Sequence, residues 1–245
     1  MSGSGHGLEQ GLEKATIEQF LTELGSASPA PGGGTVAALA GAQAAALVSM
    51  VASLTLAKKK RAVTPAGAAA CAGAAASAGA AGSAGAADLA DALSEAQALI
   101  HELSGLGGRD TAAFLEVMAA YRMSREDPGR GQAIQSALRG AAEVPLEVMR
   151  CAIRILPLAR MVLEQGIASA RTDAAVAAIM AHAALQGAAL NAMVNLETIT
   201  DQEFVRTTIE EVAALRKKGA ETYSQIVSSV FAGLEDNLVK KTDKE

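Results

Sequence analysis

Apolar side chains recur along this chain every three or four residues, the period of a helix packed on one side, and two-residue alternation of the strand type is almost absent. Ile17, Phe20, Leu21 and Leu24 share one face of a short helix, opened by Thr16 and Gln19 in a capping-box pattern. SASPAPGGG at 26–34 cannot continue that helix, because two prolines and three glycines demand a loop, and a long Ala-rich helix over 35–56 follows. Leu89, Leu93, Ile100 and Leu103 form the next stripe, which Gly105, Gly107 and Gly108 are expected to interrupt before 110–121 resumes it. After a polar connection at 122–131, residues 132–163 read as helical with Pro145 and Pro157 as kinks or breaks. A second long helix, uncharged from 174 onward, is expected over 172–196. Thr200 and Glu203 then predict a second capping box, and Phe204, Thr208, Val212, Leu215, Tyr223, Ile226, Val230 and Leu234 keep helical spacing for about 30 residues. The expected fold is all-α, a single bundle of five to seven helices without a sheet, whose small-residue helices suit packing against a second subunit.

Composition modifies this picture at three places. The interior must be built from Ala, Leu, Val and Met, because aromatic residues are 2% of the chain and Trp is absent. Residues 65–88 hold 14 Ala and five Gly in 24 positions, so 66–87 reads as a loosely held helix or a poorly ordered insertion in a domain spanning 16–236. A loose tail over 1–15 and a charged tail over 237–245 flank that domain. The third place is the uncharged stretch Leu24 to Ala57, 34 residues followed by Lys58, Lys59, Lys60 and Arg61, which is long enough to cross a bilayer. Its prolines, glycines and scattered Gln43, Ser49, Ser53 and Thr55 argue against insertion. The uncharged run 174–196 carries His182, Gln186, Asn191 and Asn195, each costly in lipid. A helix buried all round by other helices is expected there instead.

Charge and cysteine usage exclude further classes. A net charge of -5 leaves no cationic surplus for a phosphate backbone, so nucleic acid is not an expected partner. Two cysteines without CxxC spacing supply neither a disulfide framework nor a metal site, which fits a reducing cytoplasm. No metal ligand pair of the His-x-x-x-His or Glu-x-x-His kind exists. The turn PAPGGGT, with Pro31, Gly32, Gly33 and Gly34, can expose backbone N–H groups at a helix start and hold an anion, although it lacks the signature of a P-loop. Lys58, Lys59 and Lys60 complement a helix C-terminus or meet a polyanionic substrate tail. Asp110 follows a glycine break and caps a helix or does chemistry. Asp173 and Glu143 have ordinary explanations, as a first-turn acid and a solvated acid. His182, among Ala and Met, reads as a satisfied core histidine. Asp173 and Asn191 share a helix face but stand about 27 Å apart along it.

The order of motifs resembles the formiminotetrahydrofolate cyclodeaminase and methenyltetrahydrofolate cyclohydrolase family. FLTELGSASPAPGGGTVAALAGAQAAALVSMVASLTLAKKK carries the likeness first, and DTAAFLEVMAAYRM, AAEVPLEVM, TDAAVAAIMAHAALQGAALNAMVNL and ITDQEF continue it in the family's order over nearly all of 17–232. The resemblance implies an all-helical homodimer in the cytoplasm, acting without metal or cofactor on a tetrahydrofolate that carries a one-carbon unit, its tail polyglutamylated in one form. Asp110, matching a D-x-x-A-F motif, is implied as the proton-transfer group. Asp173, with Thr172 where the family has Ser, and Glu143 follow as further catalytic candidates. Pro31, Gly32, Gly33, Gly34, Lys58, Lys59, Lys60 and Asn191 are implied to hold the pterin or the glutamate tail. Cyclisation of 5-formiminotetrahydrofolate with loss of ammonia is the first expectation, hydrolysis of 5,10-methenyltetrahydrofolate to the 10-formyl compound the alternative. An inactive folate-binding or helical interaction module is the third.

Overall fold

Capping chemistry sets where the first helix begins. A computed structural model describes residues 14–63 and 79–242, which form six α-helices and one short 3₁₀ turn and, among the described residues, no strand. Thr16 and Gln19 make the reciprocal capping box that opens α1 (Ile17–Leu24): the Gln19 backbone N–H donates to Thr16 Oγ1 at 3.1 Å and the Thr16 N–H to Gln19 Oε1 at 2.8 Å. The turn after it contains a cis Ala30–Pro31 bond and delivers the chain into α2 (Gly33–Val63). Next come α3 (Gly79–Arg122), α4 (Arg130–Gln165), the 3₁₀ turn Ala168–Ala170, α5 (Arg171–Leu196) and α6 (Gln202–Thr242).

The bundle is assembled from close pairs, α2 with α3 and α5, and α4 with α3 and α5, while α6 lies across α4 and α5. Alanines supply much of the interior of α2 and α5: Ala38, Ala44, Ala45 and Ala52 on one, Ala177, Ala181, Ala184 and Ala188 on the other, all fully buried. Larger side chains, Leu89, Leu99 and Leu103 of α3 with Met149, Ile155 and Leu156 of α4, fill the space beside them. The α2–α5 contact is nearly backbone on backbone, since a Cβ on Gly187 would stand 3.2 Å from that of Ala37 and one on Gly41 3.5 Å from that of Ala184. The two helices run antiparallel, with Gly33 beside Asn191 and Thr55 beside Ile167, whose backbone N–H donates to Thr55 Oγ1 at 3.1 Å.

Gly105, Gly107 and Gly108 do not interrupt α3: about 1 kcal/mol of propensity lost at each is outweighed by burial of Leu99, Leu103 and Leu106 along the same face. Nor do Pro145 and Pro157 end α4, whose buried face runs from Ile134 to Leu163 through both. The Thr200–Glu203 box does not form. Thr200 instead donates from its N–H and its hydroxyl to Gln135 Oε1, and Asp201 caps α6 by accepting from the Phe204 N–H at 3.1 Å. Helix α6 also runs past residue 236 to Thr242, and the second half of the Ala/Gly-rich stretch begins α3. The tail at 1–13, the remainder of that stretch at 64–78 and residues 243–245 lie outside the described residues.

The two helices that carry the long uncharged runs, α2 and α5, are not buried all round. Both are long and apolar enough to cross a membrane, and 56% and 44% of those spans are buried inside the bundle. Their outward faces show Val36, Met50 and Leu54 on α2 and Val176, Ile179, Leu190 and Val194 on α5, with Leu190 73% exposed.

Candidate active site

A glycine at position 34 lets the start of α2 come down on α3. Gly34 lies so close to Asp110 that a Cβ there would overlap all three carboxylate atoms. Asp110 is therefore no N-cap of its own helix. It sits deep within α3, beside the N-terminus of another helix, where the positive end of the α2 dipole and its unpaired N–H groups favour an anion. The anion that the Gly-rich turn was expected to attract is thus the protein's own carboxylate.

Thr35 makes the contact specific. Its hydroxyl is fully buried and donates to Asp110 Oδ2 at 3.0 Å, with Thr111 Oγ1 at 3.3 Å and the Gly107 carbonyl at 3.4 Å completing its surroundings. Burial pushes the Asp110 carboxyl above the ordinary aspartate value, and the hydroxyl and backbone N–H of Thr35 pull it part of the way back. Such a group accepts and returns a proton more readily than a free surface aspartate, because its pKa moves toward neutrality.

Asp110 faces a cleft of about 340 Å³. The turn Pro29–Gly34 forms one rim, Thr111, Phe114 and Val117 of α3 a second, and Asn191, Val194 and Asn195 of α5 a third. Phe114, Val117 and Val194 offer apolar surface to a flat ring. The Asn191 amide donates to the Gly187 carbonyl at 2.8 Å and lies against Gly33, and Asn195 donates to the carbonyls of Ala141 at 2.8 Å and Asn191 at 2.9 Å. Among the described residues lining this cleft, Asp110 is the one with an acidic or basic side chain. No three His, Cys, Asp or Glu side chains of the described residues converge on a metal-sized site.

Asp110, Gly32, Gly33, Gly34 and Asn191 thus come together. Lys58, Lys59 and Lys60 end the same helix, 24 residues or about 36 Å from Gly34, where Lys59 Nζ donates to the Gly85 carbonyl at 3.4 Å. Asp173 occupies the first turn of α5, at the opposite end from Asn191. Glu143 lies on the exposed side of α4, ion-paired to Arg139 at 3.4 Å, which also holds Asp201 at 3.0 Å. Within one chain, then, the lysines, Asp173 and Glu143 do not share the Asp110 cleft. Pro31 belongs to the turn itself but is buried away from the cleft lining.

Thr35, Thr111, Phe114 and Asn195 were missed by sequence reasoning. Thr35 follows the glycines directly, and Phe114 and Asn195 lie one helical turn beyond Asp110 and Asn191, so facing periodicity was the available signal. His182 is not a satisfied core histidine. It stacks on Tyr223 of α6 with ring centroids 4.3 Å apart and planes 11° from parallel, and its buried Nδ1 has no hydrogen-bond partner among the described residues. Burial and the nearby Arg216 charge hold its proton affinity below the usual histidine value. Cys151 is no nucleophile, since burial and the neighbouring Glu102 push its thiol up to about 12.

Residues 16–214 match the sequence profile of the formiminotransferase-cyclodeaminase family. The chain belongs to this family. The family's methenyltetrahydrofolate cyclohydrolase from Methylorubrum extorquens is 35% identical over 219 residues, 88% of this chain and 95% of that one. The formimidoyltransferase-cyclodeaminase of Rattus norvegicus is 28% identical over 239 residues, of which this chain spans only 39% of the relative's length. The crystal structure of formiminotetrahydrofolate cyclodeaminase from Thermotoga maritima superposes with a TM-score of 0.74 at 25% identity, covering 91% of this chain and 98% of that one.

Proposed function

We propose that this family member is a cytoplasmic enzyme acting on the one-carbon unit held between N5 and N10 of a tetrahydrofolate, with Asp110 moving the proton. The observation that carries the reading is the half-buried Asp110 carboxylate standing as the acid–base group of a cleft that otherwise offers apolar walls and side-chain amides. In hydrolysis, water adds to the bridging amidinium carbon and Asp110 takes its first proton, which passes to N5 as the bond from N5 to that carbon breaks, while the second proton of the water leaves to solvent as the formyl C=O forms, giving the 10-formyl compound. In cyclisation, N10 attacks the formimino carbon, Asp110 takes the N10 proton and returns it to the departing nitrogen, and ammonia leaves. One proton shuttle serves either reaction.

We put hydrolysis of the methenyl compound first, because the Methylorubrum cyclohydrolase is the more similar of the relatives above and matches this chain nearly end to end. Cyclodeamination is supported by the Thermotoga chain, also matched over almost its full length. Purified protein offered each substrate side by side, with the methenyl chromophore and ammonia both followed, tests the choice. Accelerated loss of the chromophore with no ammonia from the formimino compound is expected. Ammonia release with chromophore gain reverses the order, and neither change leaves a folate-binding module.

A second copy of the chain is the proposed occupant of the uncharged outer face of α2 and α5. A two-fold axis crossing α2 near residue 45, perpendicular to the helix, lays each α2 antiparallel to its copy, with residues 33 and 58 about 12 to 13 residues to either side of it. Lys58, Lys59 and Lys60 of one subunit then approach the Gly-rich turn of the other, where their charge meets the glutamate tail of the substrate. Replacing Lys59 and Lys60 together by Ala is expected to raise KM more for polyglutamylated than for monoglutamate folate, an effect that shrinks as salt screens the charges. Leu190→Glu, which puts a charge into the shared face, is expected to yield monomers with the same loss of tail preference. Equal KM changes for both substrates would return the lysines to the helix dipole alone.

A further inference from the structure

We infer that Thr35 is the positioning residue that keeps Asp110 usable in both of its protonation states, an inference that rests on the proton-shuttle reading above. A hydroxyl has one proton to give and two lone pairs to receive. The Thr35 hydroxyl is surrounded by a carboxylate oxygen, a hydroxyl able to act either way and a backbone carbonyl, Asp110 Oδ2, Thr111 Oγ1 and Gly107 O, all within 3.4 Å. That set matches the needs of two states rather than one. With Asp110 charged, Thr35 gives its proton to Oδ2 and receives one from Thr111. With Asp110 protonated on Oδ2, Thr35 receives that proton and turns its own toward the Gly107 carbonyl.

The exchange is a rotation about one bond, and no heavy atom moves. It matters because the cluster is buried: a polar group left without a partner there is costly, and a base that must next act as an acid meets that cost once per turnover unless a neighbour adapts. The backbone N–H of Thr35 cannot adapt, since it only donates and so favours the charged form alone. The hydroxyl supplies the missing half. The same turn that sets Gly34 against the carboxylate fixes both groups, because Thr35 is the third residue of α2.

Thr35→Val keeps the shape and removes the hydroxyl, while Thr35→Ser keeps the hydroxyl. Two readouts are taken: the titration of Asp110 in the substrate-free protein by carbon-13 NMR of labelled aspartate, assigned by the signal lost in Asp110→Asn, and the pH profile of kcat. In Thr35→Val the Asp110 midpoint is expected to rise by about one pH unit or more, as loss of a hydrogen bond to a charged acceptor implies. The acid limb of the profile should rise with it, and kcat should fall at least ~10-fold with KM changed less than about three-fold. Serine should restore both. Should valine prevent folding, Thr35→Ala provides the same comparison. An unmoved Asp110 titration and acid limb, or failure of serine to restore them, overturns the inference. A shifted titration in a protein that turns over neither folate substrate leaves Thr35 as the group governing Asp110 and removes the enzymatic reading instead.

Discussion

Asp110→Asn is expected to lower turnover by ~10²-fold or more, the usual contribution of a positioned acid–base group, while the protein folds as well as before or better. The two halves of that result have one cause. Burial raises the Asp110 pKa above its unfolded value, so between the ordinary aspartate range and the raised value the folded chain binds more protons than the unfolded one. Stability is then fully favoured below that window and falls as pH rises through it. At neutral pH the charged carboxylate is a net burden that only the Thr35 contacts and the α2 N-terminus relieve. Asparagine retains the shape and removes the charge. Turnover followed by the methenyl absorbance, and thermal unfolding followed in parallel, check both halves. A variant that stays active moves the proton elsewhere, and one that unfolds at a lower temperature shows the carboxylate to be part of the scaffold.

Gly34→Ala is expected to be the most damaging one-carbon change at the site. The added methyl overlaps the Asp110 carboxylate, and neither the start of α2 nor the middle of α3 is a free-swinging chain end. Overpacking of this kind costs ~1–3 kcal/mol, a loss of several degrees in Tm for a chain of this size, and it displaces the acid from its Thr35 contacts, so activity falls by at least ~10-fold as well. The neighbouring glycines grade the effect. Alanine at 33 meets the Asn191 amide at an ordinary 3.4 Å, and alanine at 32 meets nothing within 4 Å. Tm and kcat for the three variants should therefore fall steeply only at 34, and equal losses at all three would mean the turn needs glycine for its backbone rather than for space.

Most of the fold was legible because six helices announce themselves by period, and the cap at Thr16 by its partner three residues on. What misled were signals that measure local preference. Gly105, Gly107 and Gly108 are poor helix formers and Pro145 removes a hydrogen bond, yet each lies in a helix whose buried face overrides it. Thr200 has the pattern of a cap, but Gln135 on a distant helix captures its hydroxyl and leaves Asp201 to do the capping. The cleft was half legible. Asp110 and the Gly-rich turn stand out along the chain, but nothing in one sequence says that residues 75 apart face each other, so Thr35 was seen only as the first residue of a helix. Asp173 and the lysines lie at the remote end of α2 and α5, away from the cleft within one chain.

The meeting of α2 with α5 through glycine and alanine has a mechanical corollary. Such residues have no rotamers to rearrange, so the pair cannot absorb a push by reshuffling side chains as a leucine-rich seam does. Added volume in this seam has to be taken up by the backbones themselves: Gly187→Ala, which sets a methyl 3.2 Å from the Ala37 Cβ, is met by separation of the two helices and not by a change of side-chain conformation.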